Sequence, residues 1–526
     1  MLQLNAKLLS LIRALWDRFW AGGISNPLSA IEQITYLLFM KQLDELDLKR
    51  EKDAEFTGDT FKSRFKGKFY LPHDTEKKNP IDKATLRWSY FKEMKAELML
   101  PHVQQNVFPF IKGLNGKGSS FTHHMANAVF LIPSANLLQG AIAIIEEIYI
   151  EIDREYREEG QLFQDIQGDV YEMLLNEISS AGKNGQFRTP RHIIKLVSEL
   201  VNPQLGHRIC DPACGTAGFL LDAYQYIITQ LAKKKKKRPA FTPDEDGFVR
   251  RSLSGLLSQD NKDILEQSLY GYDFDTTMVR LALMNLMMHG IDNPNVDYQD
   301  TLSKKFTAEA EYDIVMANPP FTGSIDKGDI NESLKLNTTK TELLFTERIF
   351  NLLTMGGTAG IIIPQGVLFG SGGAFVEARK KLVEEAELKA VISLPSGVFK
   401  PYAGVATAIL VFTRGGKTKH TWFYRIDTDG LSLDDKRQRI PESDLPEVVK
   451  QWKARDPKEI GDRKAKFFFV PVKEIRDKQY DLSFNSYHVA EHDETEYEEP
   501  SVILQKLKTL EDKIQQGIAE LEEILG

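Results

Sequence analysis

Residues 207–221 decide the fold, and they read HRICDPACGTAGFLL. The apolar run ending at Asp211 predicts a strand, and the apolar residues after Gly218 predict a helix, so the segment between them is a strand-to-helix turn. Gly215 and Gly218 allow the backbone to approach a ligand closely and the helix to pack against the strand. The spacing differs from the dinucleotide fingerprint, and the leading acid suits a cationic or amino-bearing ligand better than a pyrophosphate. An ordinary turn between strand and helix is the simpler alternative.

Two further acids stand at the ends of predicted strands. Asp273 ends Leu269–Asp273, where a carboxylate commonly binds a ribose diol. Asp275 is the near alternative, but it is better placed to cap the helix that follows. Asp300 ends the predicted strand 296–300 and suits an adenine amino group. Each acid alone could be a cap or a solvated turn residue, whereas three acids at successive strand ends indicate one ligand site.

The strand predicted at Tyr312–Ala317 runs into Asn318, Pro319, Pro320 and Phe321. Two prolines end the strand and remove two backbone donors, at the edge of the sheet where ligands of open α/β proteins bind. The amide oxygen of the asparagine and the carbonyl of the first proline can each accept one hydrogen of a planar amino group. The phenylalanine ring can stack on the base, which contributes about 1–3 kcal/mol. A proline-rich turn after a buried strand is the alternative.

The rest of the chain divides into three parts. Residues 1–150 have mostly helical periodicity, with a helix start predicted at Ser25 or Asn26 followed by Pro27. Residues 151–415 alternate strands and helices, which predicts a doubly wound α/β sheet of seven strands. Residues 416–526 form a tail of lower apolar density that ends in a predicted helix at about 500–525.

Here the chain resembles the S-adenosylmethionine-dependent amino-methyltransferases of DNA, in particular the methylation (HsdM) subunits of type I restriction-modification systems. The resemblance extends over roughly residues 10–490. Four segments carry it, in the expected order: GDVYE at 168–172, GQFRTPR at 185–191, DPACGTAG at 211–218 and NPPF at 318–321.

The resemblance implies a Rossmann-like class I methyltransferase fold whose last strand is antiparallel, and it implies S-adenosylmethionine as the cofactor. The family segment before the glycine turn closes over the methionine end of the cofactor. That role maps onto Gln186, Phe187, Arg188, Thr189, Pro190 and Arg191. Thr189 as N-cap, with Pro190 at the first helical position, is a structural alternative for those two residues. The other implied cofactor contacts are Thr216, Ala217, Gly218 and Asp273, where many relatives carry a glutamate in place of Asp273.

The activity that the resemblance implies is methyl transfer to N6 of adenine in duplex DNA, with Asn318, Pro319, Pro320 and Phe321 as the catalytic motif. The base must be flipped out of the helix, at a cost of a few kcal/mol. The implied partners are duplex DNA, a specificity subunit, a second copy of the chain joined through that subunit, and a restriction subunit in the full complex. The family's tail docks on the specificity subunit.

Composition sets limits on the site and its surroundings. The chain has 526 residues and a net charge of −8, so any grip on DNA should depend on a partner or a local basic patch. The best such patch is the run at 233–238, for which a solvated loop is the favoured reading over a phosphate contact. No apolar run could span a membrane and no signal peptide is evident, so we expect a cytoplasmic protein without a membrane partner. No ligand spacing suggests a metal site.

Cysteine usage separates two chemistries of base methylation. Methylation at carbon 5 of cytosine needs a thiolate that the family places in a Pro-Cys pair, and neither Cys210 nor Cys214 follows a proline. Transfer to an amino nitrogen needs no such nucleophile.

Several alternatives remain open from the sequence. Amino-methyltransferases of protein glutamine or of RNA use a similar Asn-Pro-Pro motif, and cytosine N4 is a second amino target. A non-catalytic scaffold subunit that binds the cofactor is a further reading. In the tail, apolar residues in 4/3 spacing predict a helix that needs a partner, although they could pack on their own chain. These residues are Ile503, Leu507, Leu510, Ile514, Leu521 and Ile524.

Overall fold

The computed structural model describes residues 6–58, 60–116, 118–159, 189–234, 243–250, 257–400, 403–489 and 500–525. These residues form two compact units, Met1–Tyr487 and His488–Gly526. The first contains an amino-terminal helical part and a large central sheet, and the second is the helix Pro500–Leu525. None of the described helices is both long and apolar enough to cross a membrane.

Helices make up most of the amino-terminal part and flank the sheet. The described α-helices of the first unit are Ala6–Ala21, Pro27–Thr57, Trp88–Phe91, Ala96–His102, Phe108–Lys112, Ser120–Met125, Ala135–Glu159, Arg191–Val201, Gly218–Lys234, Gln259–Glu266, Thr276–Met288, Thr341–Leu352, Gly366–Phe369, Gly373–Glu384, Leu445–Ala454 and Val472–Asp477. Short 3-10 turns occupy Lys83–Leu86 and Phe484–Ser486, and a π-helical turn occupies Val103–Val107.

The strands are β1 Lys68–Phe69, β2 Ile81–Asp82, β3 Ile209–Asp211, β4 Leu269–Asp273, β5 Asn295–Tyr298, β6 Tyr312–Ala317, β7 Leu353–Pro364, β8 Ala386–Leu394, β9 Thr407–Arg414, β10 His420–Arg425, β11 Asp429–Leu431, β12 Arg439–Ser443 and β13 Phe467–Pro471. Nine of them form the central sheet, in the spatial order β13-β10-β8-β9-β7-β6-β3-β4-β5. The other four form two small antiparallel pairs, β1 with β2 and β11 with β12.

The predicted doubly wound sheet is confirmed. Strands β5, β4, β3, β6 and β7 are parallel neighbours, and β9 lies antiparallel between β7 and β8. All seven predicted strands are therefore present, and the last of them, β9, has the antiparallel direction that the resemblance implied. Their order turns back at β3, which makes the carboxyl end of that strand a switch point where ligands bind.

The sheet has two strands more than predicted, and both come from the part of the chain that was expected to be a tail. Strand β10 pairs in parallel with β8, and β13 pairs antiparallel with β10. Aromatic side chains hold this pair together, since the rings of Tyr424 and Phe467 stack with centroids 5.7 Å apart. These two strands are short aromatic runs inside a polar region, so the regional average concealed them. The predicted domain boundaries at residues 150 and 415 stay predictions.

The amino-terminal helices pack against the helix that follows β4. Asn26 caps Pro27–Thr57 by accepting a hydrogen bond from Ser29, as predicted for that position. Farther along the same helix, Glu32 accepts from Arg280 Nε at 2.6 Å, and Gln42 donates to the carbonyl of Met288 at 3.2 Å. The bond to Arg280 is partly buried and the bond to Met288 is buried, so these two bonds fix the helix Thr276–Met288 behind the ligand edge of the sheet.

Candidate active site

Three polar side chains meet at one edge of the sheet. Asp211 ends β3, Asp273 ends β4, and Asn318 follows β6. Strand β3 lies between β4 and β6, and the three strands are parallel. Their carboxyl ends therefore open onto the same edge, so the structure brings together the residues that the sequence analysis selected from separate motifs.

The glycine turn after β3 has the open backbone that its sequence predicted. Gly215 and Ala217 both adopt positive φ, +51° and +64°. A Cβ added at Gly218 would lie 2.9 Å from Ile194 Cδ1, so glycine lets the two helices pack closely here without displacing the tip of that side chain. Asn285 Nδ2 donates to the carbonyl of Thr216 at 2.8 Å and fixes the turn from behind.

Asp273 joins this turn to the end of β4. Its carboxylate accepts one hydrogen bond from the Gly215 amide and one from the Asp275 amide, both at 2.9 Å. Burial raises the pKa of Asp273 despite these two donors. Asp275 caps the helix Thr276–Met288 through the amides of Thr277 and Met278, as predicted. The division of roles between the two acids is therefore that Asp273 faces the turn and Asp275 caps the helix.

Asp211 is the most deeply buried acid of this edge, with 1% of its surface exposed. Its carboxylate accepts a hydrogen bond from the Ala213 amide at 3.1 Å. Burial, with a smaller effect from the charge of Asp273, raises the pKa of Asp211 to about 8. No lysine, arginine or histidine of the described residues forms an ion pair with it. A cationic ligand would offset the cost of burying this carboxylate.

Asn318 presents an amide with no partner. Both Oδ1 and Nδ2 are buried, and neither forms a hydrogen bond to any residue that the structure describes. Leaving a buried polar group unpaired costs about 1–3 kcal/mol, and the Asn318 side chain has two such groups. This side chain is therefore a candidate for binding a ligand. Phe321 is 4% exposed, and its ring meets that of Phe399 edge to face, with centroids 5.3 Å apart. Pro319 and Pro320 lie between Asn318 and Phe321, just after the end of β6.

Other predicted contacts are less central or lie outside the described residues. Asp300 is exposed, two residues past the end of β5, and accepts a hydrogen bond from the Leu302 amide at 3.0 Å. The helix after the family segment begins at Arg191, with Pro190 as N-cap and no side-chain cap. The alternative that made Thr189 the N-cap is therefore wrong by one residue, because the helix starts later than the proline suggested. Residues 168–172 and Gln186, Phe187 and Arg188 lie outside the described ranges.

The two cysteines are free and sealed inside the protein beside the glycine turn. Burial raises the pKa of both Cys210 and Cys214, and the nearby carboxylates add to the effect. A buried thiol in these surroundings is inert as a nucleophile. Within the described part of the chain, no cluster of three or more histidine, cysteine or acidic residues could hold a metal ion.

Two residues of the site were missed by sequence reasoning. Phe399 lies five residues past the end of β8, is 1% exposed, and supports the ring of Phe321 edge to face. Its signal was its position just after a predicted strand end, the same signal that identified the three acids. Asn285 supports the turn from the middle of the helix Thr276–Met288, where no local pattern distinguishes it from a core residue.

Comparison with known proteins identifies the family. The model of the N-6 DNA methylase family matches residues 163–496, and the model of the HsdM N-terminal domain matches residues 8–145. The EcoEI methylase subunit of a type I restriction enzyme from Escherichia coli is 27% identical over 96% of this chain and 94% of its own.

Solved structures agree with these matches. One is a chain from a type I R-M system studied for its complex assembly and conformational transition, with 27% identity, a TM-score of 0.64 and coverage of 99% of both chains. A modification subunit of a putative type I restriction enzyme from Vibrio vulnificus YJ016 has the same fold, with 22% identity and a TM-score of 0.67, over 90% of this chain and 93% of its own. Because the first family model covers more than half of the sequence, the chain belongs to the N-6 DNA methylase family and is a DNA methyltransferase.

Proposed function

We propose that this chain transfers a methyl group from S-adenosylmethionine to N6 of adenine in duplex DNA. In this proposal it acts as the modification subunit of a type I restriction-modification complex, and a separate specificity subunit selects the DNA sequence. The observation that carries the proposal is the buried amide of Asn318, which stands without a partner among the described residues at the carboxyl end of β6.

The proposed base site is built from Asn318 and the residues next to it. The Asn318 side-chain oxygen and the Pro319 carbonyl each accept one hydrogen of the adenine amino group. Two acceptors on one amino group draw its nitrogen out of conjugation with the ring, so its lone pair becomes available for attack. Phe321 is the proposed stacking partner of the flipped base, and the buried Phe399 supports its ring edge to face. Stacking of about 1–3 kcal/mol offsets part of the cost of flipping.

The cofactor site is proposed at the ends of β3 and β4. S-adenosylmethionine supplies, when bound, an electrophilic methyl carbon on a sulfonium. The fit rests on the carboxylate of Asp211, which is buried without a cationic partner among the described residues, and on the open turn from Gly215 to Gly218. Asp273 is placed to accept hydrogen bonds from a ribose diol, since each of its carboxylate oxygens retains a lone pair after bonding the backbone.

Three further groups of residues complete the proposed cofactor contacts. Thr216 and Ala217 lie in the turn itself, and Ala217 has the positive φ that exposes backbone amides to a ligand. Asp300 remains the proposed partner of the adenine amino group of the cofactor. The segment Gln186, Phe187, Arg188, Thr189, Pro190 and Arg191 is proposed to close over the methionine end.

The work of this site is alignment rather than proton abstraction. Asn318 and its neighbour hold the amino nitrogen at the edge of the sheet where Asp211 and Asp273 hold the cofactor. Holding two reactants in line can supply roughly 7–11 kcal/mol of the barrier. Immediately after methyl transfer the methylated amino group carries an extra proton. An aromatic ammonium of this kind is acidic enough to lose that proton to solvent.

The proposed partners follow from the exposed face of the carboxyl-terminal helix. Along Pro500–Leu525, Leu507 and Ile514 are 57% and 60% exposed, and Ile503, Leu510 and Leu521 are exposed with them. A specificity subunit is the proposed occupant, which would join a second copy of this chain and, in the full complex, a restriction subunit. Ile524 lies at a position whose side chain is outside the described set.

Methyl transfer from labelled S-adenosylmethionine tests the proposal. The chain should be assayed with its specificity subunit on plasmid DNA, on ribosomes and on release factors, with wild-type protein and with Asn318→Ala. We expect label in DNA alone and a loss of at least about 100-fold in the variant, with cofactor affinity retained. Wild-type turnover by the variant, or label in RNA or protein glutamine, would contradict the proposal. Cofactor binding without methylation of any substrate would support a scaffold instead.

A further inference from the structure

A second cavity lies at the edge of the sheet opposite Asn318. Its volume is about 510 Å³, and it is lined by the carboxyl ends of the helices Arg191–Val201 and Gly218–Lys234. Thr358 of β7 and Lys389 of β8 form its sheet side, and both stand in the amino-terminal halves of their strands. Because the base and cofactor sites lie at the carboxyl ends of the parallel strands, this cavity is separate from them.

Four cations line the cavity, against one carboxylate. The cations are Lys233, Lys389, Lys453 and Arg455, and the carboxylate is Glu199. Glu199 is already engaged, since it accepts from Lys453 Nζ at 2.8 Å and from Arg250 at 3.0 Å. Because Glu199 already pairs with Lys453 and Arg250, it does not neutralise the other cations of the cavity wall.

The remaining cations have weak carboxylate partners or none. Lys389 Nζ lies 3.8 Å from Glu387, which is nearly half exposed. Arg455 lies over the ring of Trp452, 3.3 Å from its centroid, and donates to the backbone carbonyl of that residue. For Lys233, the described residues provide no carboxylate within ion-pair distance. Three positive groups therefore converge on the cavity.

The pKa shifts of the cavity lysines are consistent with an excess of positive charge in the cavity. Burial lowers the pKa of Lys389; the charge of Glu387 opposes this shift and that of Arg455 adds to it. Burial likewise lowers the pKa of Lys233, where attraction to Glu199 opposes the shift and repulsion from Lys453 and Arg250 adds to it. Like charges that crowd together in a partly desolvated cavity raise the local concentration of anions.

The walls that carry these cations are rigid. Trp452 is 5% exposed, and its indole donates to the carbonyl of Leu200 at 3.1 Å. On the other side, the hydroxyl of Tyr226 donates to Asn202 at 2.8 Å. The cavity is therefore formed before any ligand arrives, which reduces the entropy cost of binding.

We propose that this cavity binds phosphate groups, with Lys233, Lys389 and Arg455 as the anion-binding residues. Lysines act as point charges on phosphate, and a guanidinium adds a planar pair of donors. The phosphate could belong to a free nucleotide or to a stretch of nucleic-acid backbone away from the target base, and both sources share this chemistry. Lys233 is the first residue of the basic run at 233–238, which the proposed methyl transfer does not use and of which residues 235–238 lie outside the described ranges.

Calorimetry on the full chain tests the proposal, with inorganic pyrophosphate and a short DNA duplex as separate probes. Wild-type protein is compared with Lys389→Gln, with Lys233→Gln and with Arg455→Gln. Lys450→Gln is the matched control, because it removes the same charge from the helix Leu445–Ala454 but does not line the cavity. We expect pyrophosphate affinity to fall about tenfold for each cavity variant and to stay unchanged in the control.

The two probes distinguish the sources of phosphate. Pyrophosphate binding that a duplex does not displace indicates a nucleotide-like ligand, and displacement by the duplex indicates backbone phosphate. Lys233→Gln changes an exposed side chain at a helix end, so its fold is expected to survive even if Arg455→Gln unfolds. Absence of pyrophosphate binding by the wild type, or an equal loss in Lys450→Gln, overturns the proposal.

Discussion

Asn285 and Thr216 are 69 residues apart, and the side-chain amide of Asn285 donates to the backbone carbonyl of Thr216 inside the protein at 2.8 Å. Asn285 belongs to the helix that the amino-terminal helices hold in place through Arg280 and Met288. The glycine turn of the cofactor site is therefore braced by a helix that the amino-terminal part of the chain positions.

Asn285→Ala should weaken binding of S-adenosylmethionine by about fivefold, because a buried hydrogen bond contributes about 1 kcal/mol and its loss frees the turn. Calorimetric titration measures this affinity. Asn295→Ala is the matched control, since it removes a side-chain bond to the Glu266 carbonyl, away from the turn. Equal affinity in Asn285→Ala and in the wild type would show that the turn keeps its shape unaided.

Phe399→Leu should raise KM for DNA or lower kcat by about tenfold while cofactor affinity is retained, because leucine keeps the site apolar but loses the edge-to-face contact that positions the ring of Phe321. Steady-state methylation of a DNA duplex measures both constants. Phe412→Leu is the control, since Phe412 is a fully buried ring of β9 within a different core cluster from Phe321. If both variants lose the same activity, the effect of Phe399 is one of stability alone.

The raised pKa of Asp211 predicts how stability depends on pH in the absence of cofactor. The pKa moves from 3.8 to about 8 on folding, so the folded state holds an extra proton between these values. Stability should therefore fall as the pH rises from about 4 to about 8, and level off above that range.

Asp211→Asn should remove this dependence, because the amide does not titrate. At pH 8 without cofactor, the variant should be more stable than the wild type by at least about 1 kcal/mol, although it binds the cofactor more weakly. Thermal unfolding across the pH range measures the difference, and Asp326→Asn, an exposed acid, serves as control. A parallel pH profile in wild type and Asp211→Asn would rule out a protonated Asp211.

Leu507→Glu and Leu510→Glu should each abolish capture of a specificity subunit and leave cofactor affinity unchanged. Burying an unpaired glutamate charge in the contact between two helices is unfavourable. Co-purification of the two subunits measures the capture. Gln505→Glu places the same charge on another face of Pro500–Leu525 and should have little effect. Undiminished capture by both leucine variants would show that another surface makes this contact.

Much of the fold could be predicted because its strands are short apolar runs, each followed by a punctuating residue. The seven predicted strands are all present, and their ends locate Asp211, Asp273 and Asn318 at one edge. Strands β10 and β13 were missed because their apolar character is aromatic and brief, and because their pairing is between segments far apart in sequence. Such pairing depends on tertiary contacts that no local period encodes.

The site could be predicted where a motif and a strand end coincide, and could not where support comes from a distance. The aromatic contact of Phe399 with Phe321 and the bond of Asn285 to Thr216 both join segments that only the folded chain brings together. The N-cap of the helix at Arg191 shows the usual uncertainty of one residue at an element boundary.

The sealed thiols of Cys210 and Cys214 have a practical consequence. They are the only cysteines of the sequence; they flank Asp211 and precede the glycine turn that we propose to bind the cofactor. A maleimide can label the two thiols only when that region opens. The labelling rate therefore measures how often the region opens, without any engineered probe. Slower labelling of the two cysteines in the presence of S-adenosylmethionine would show that the bound ligand reduces local opening of this region.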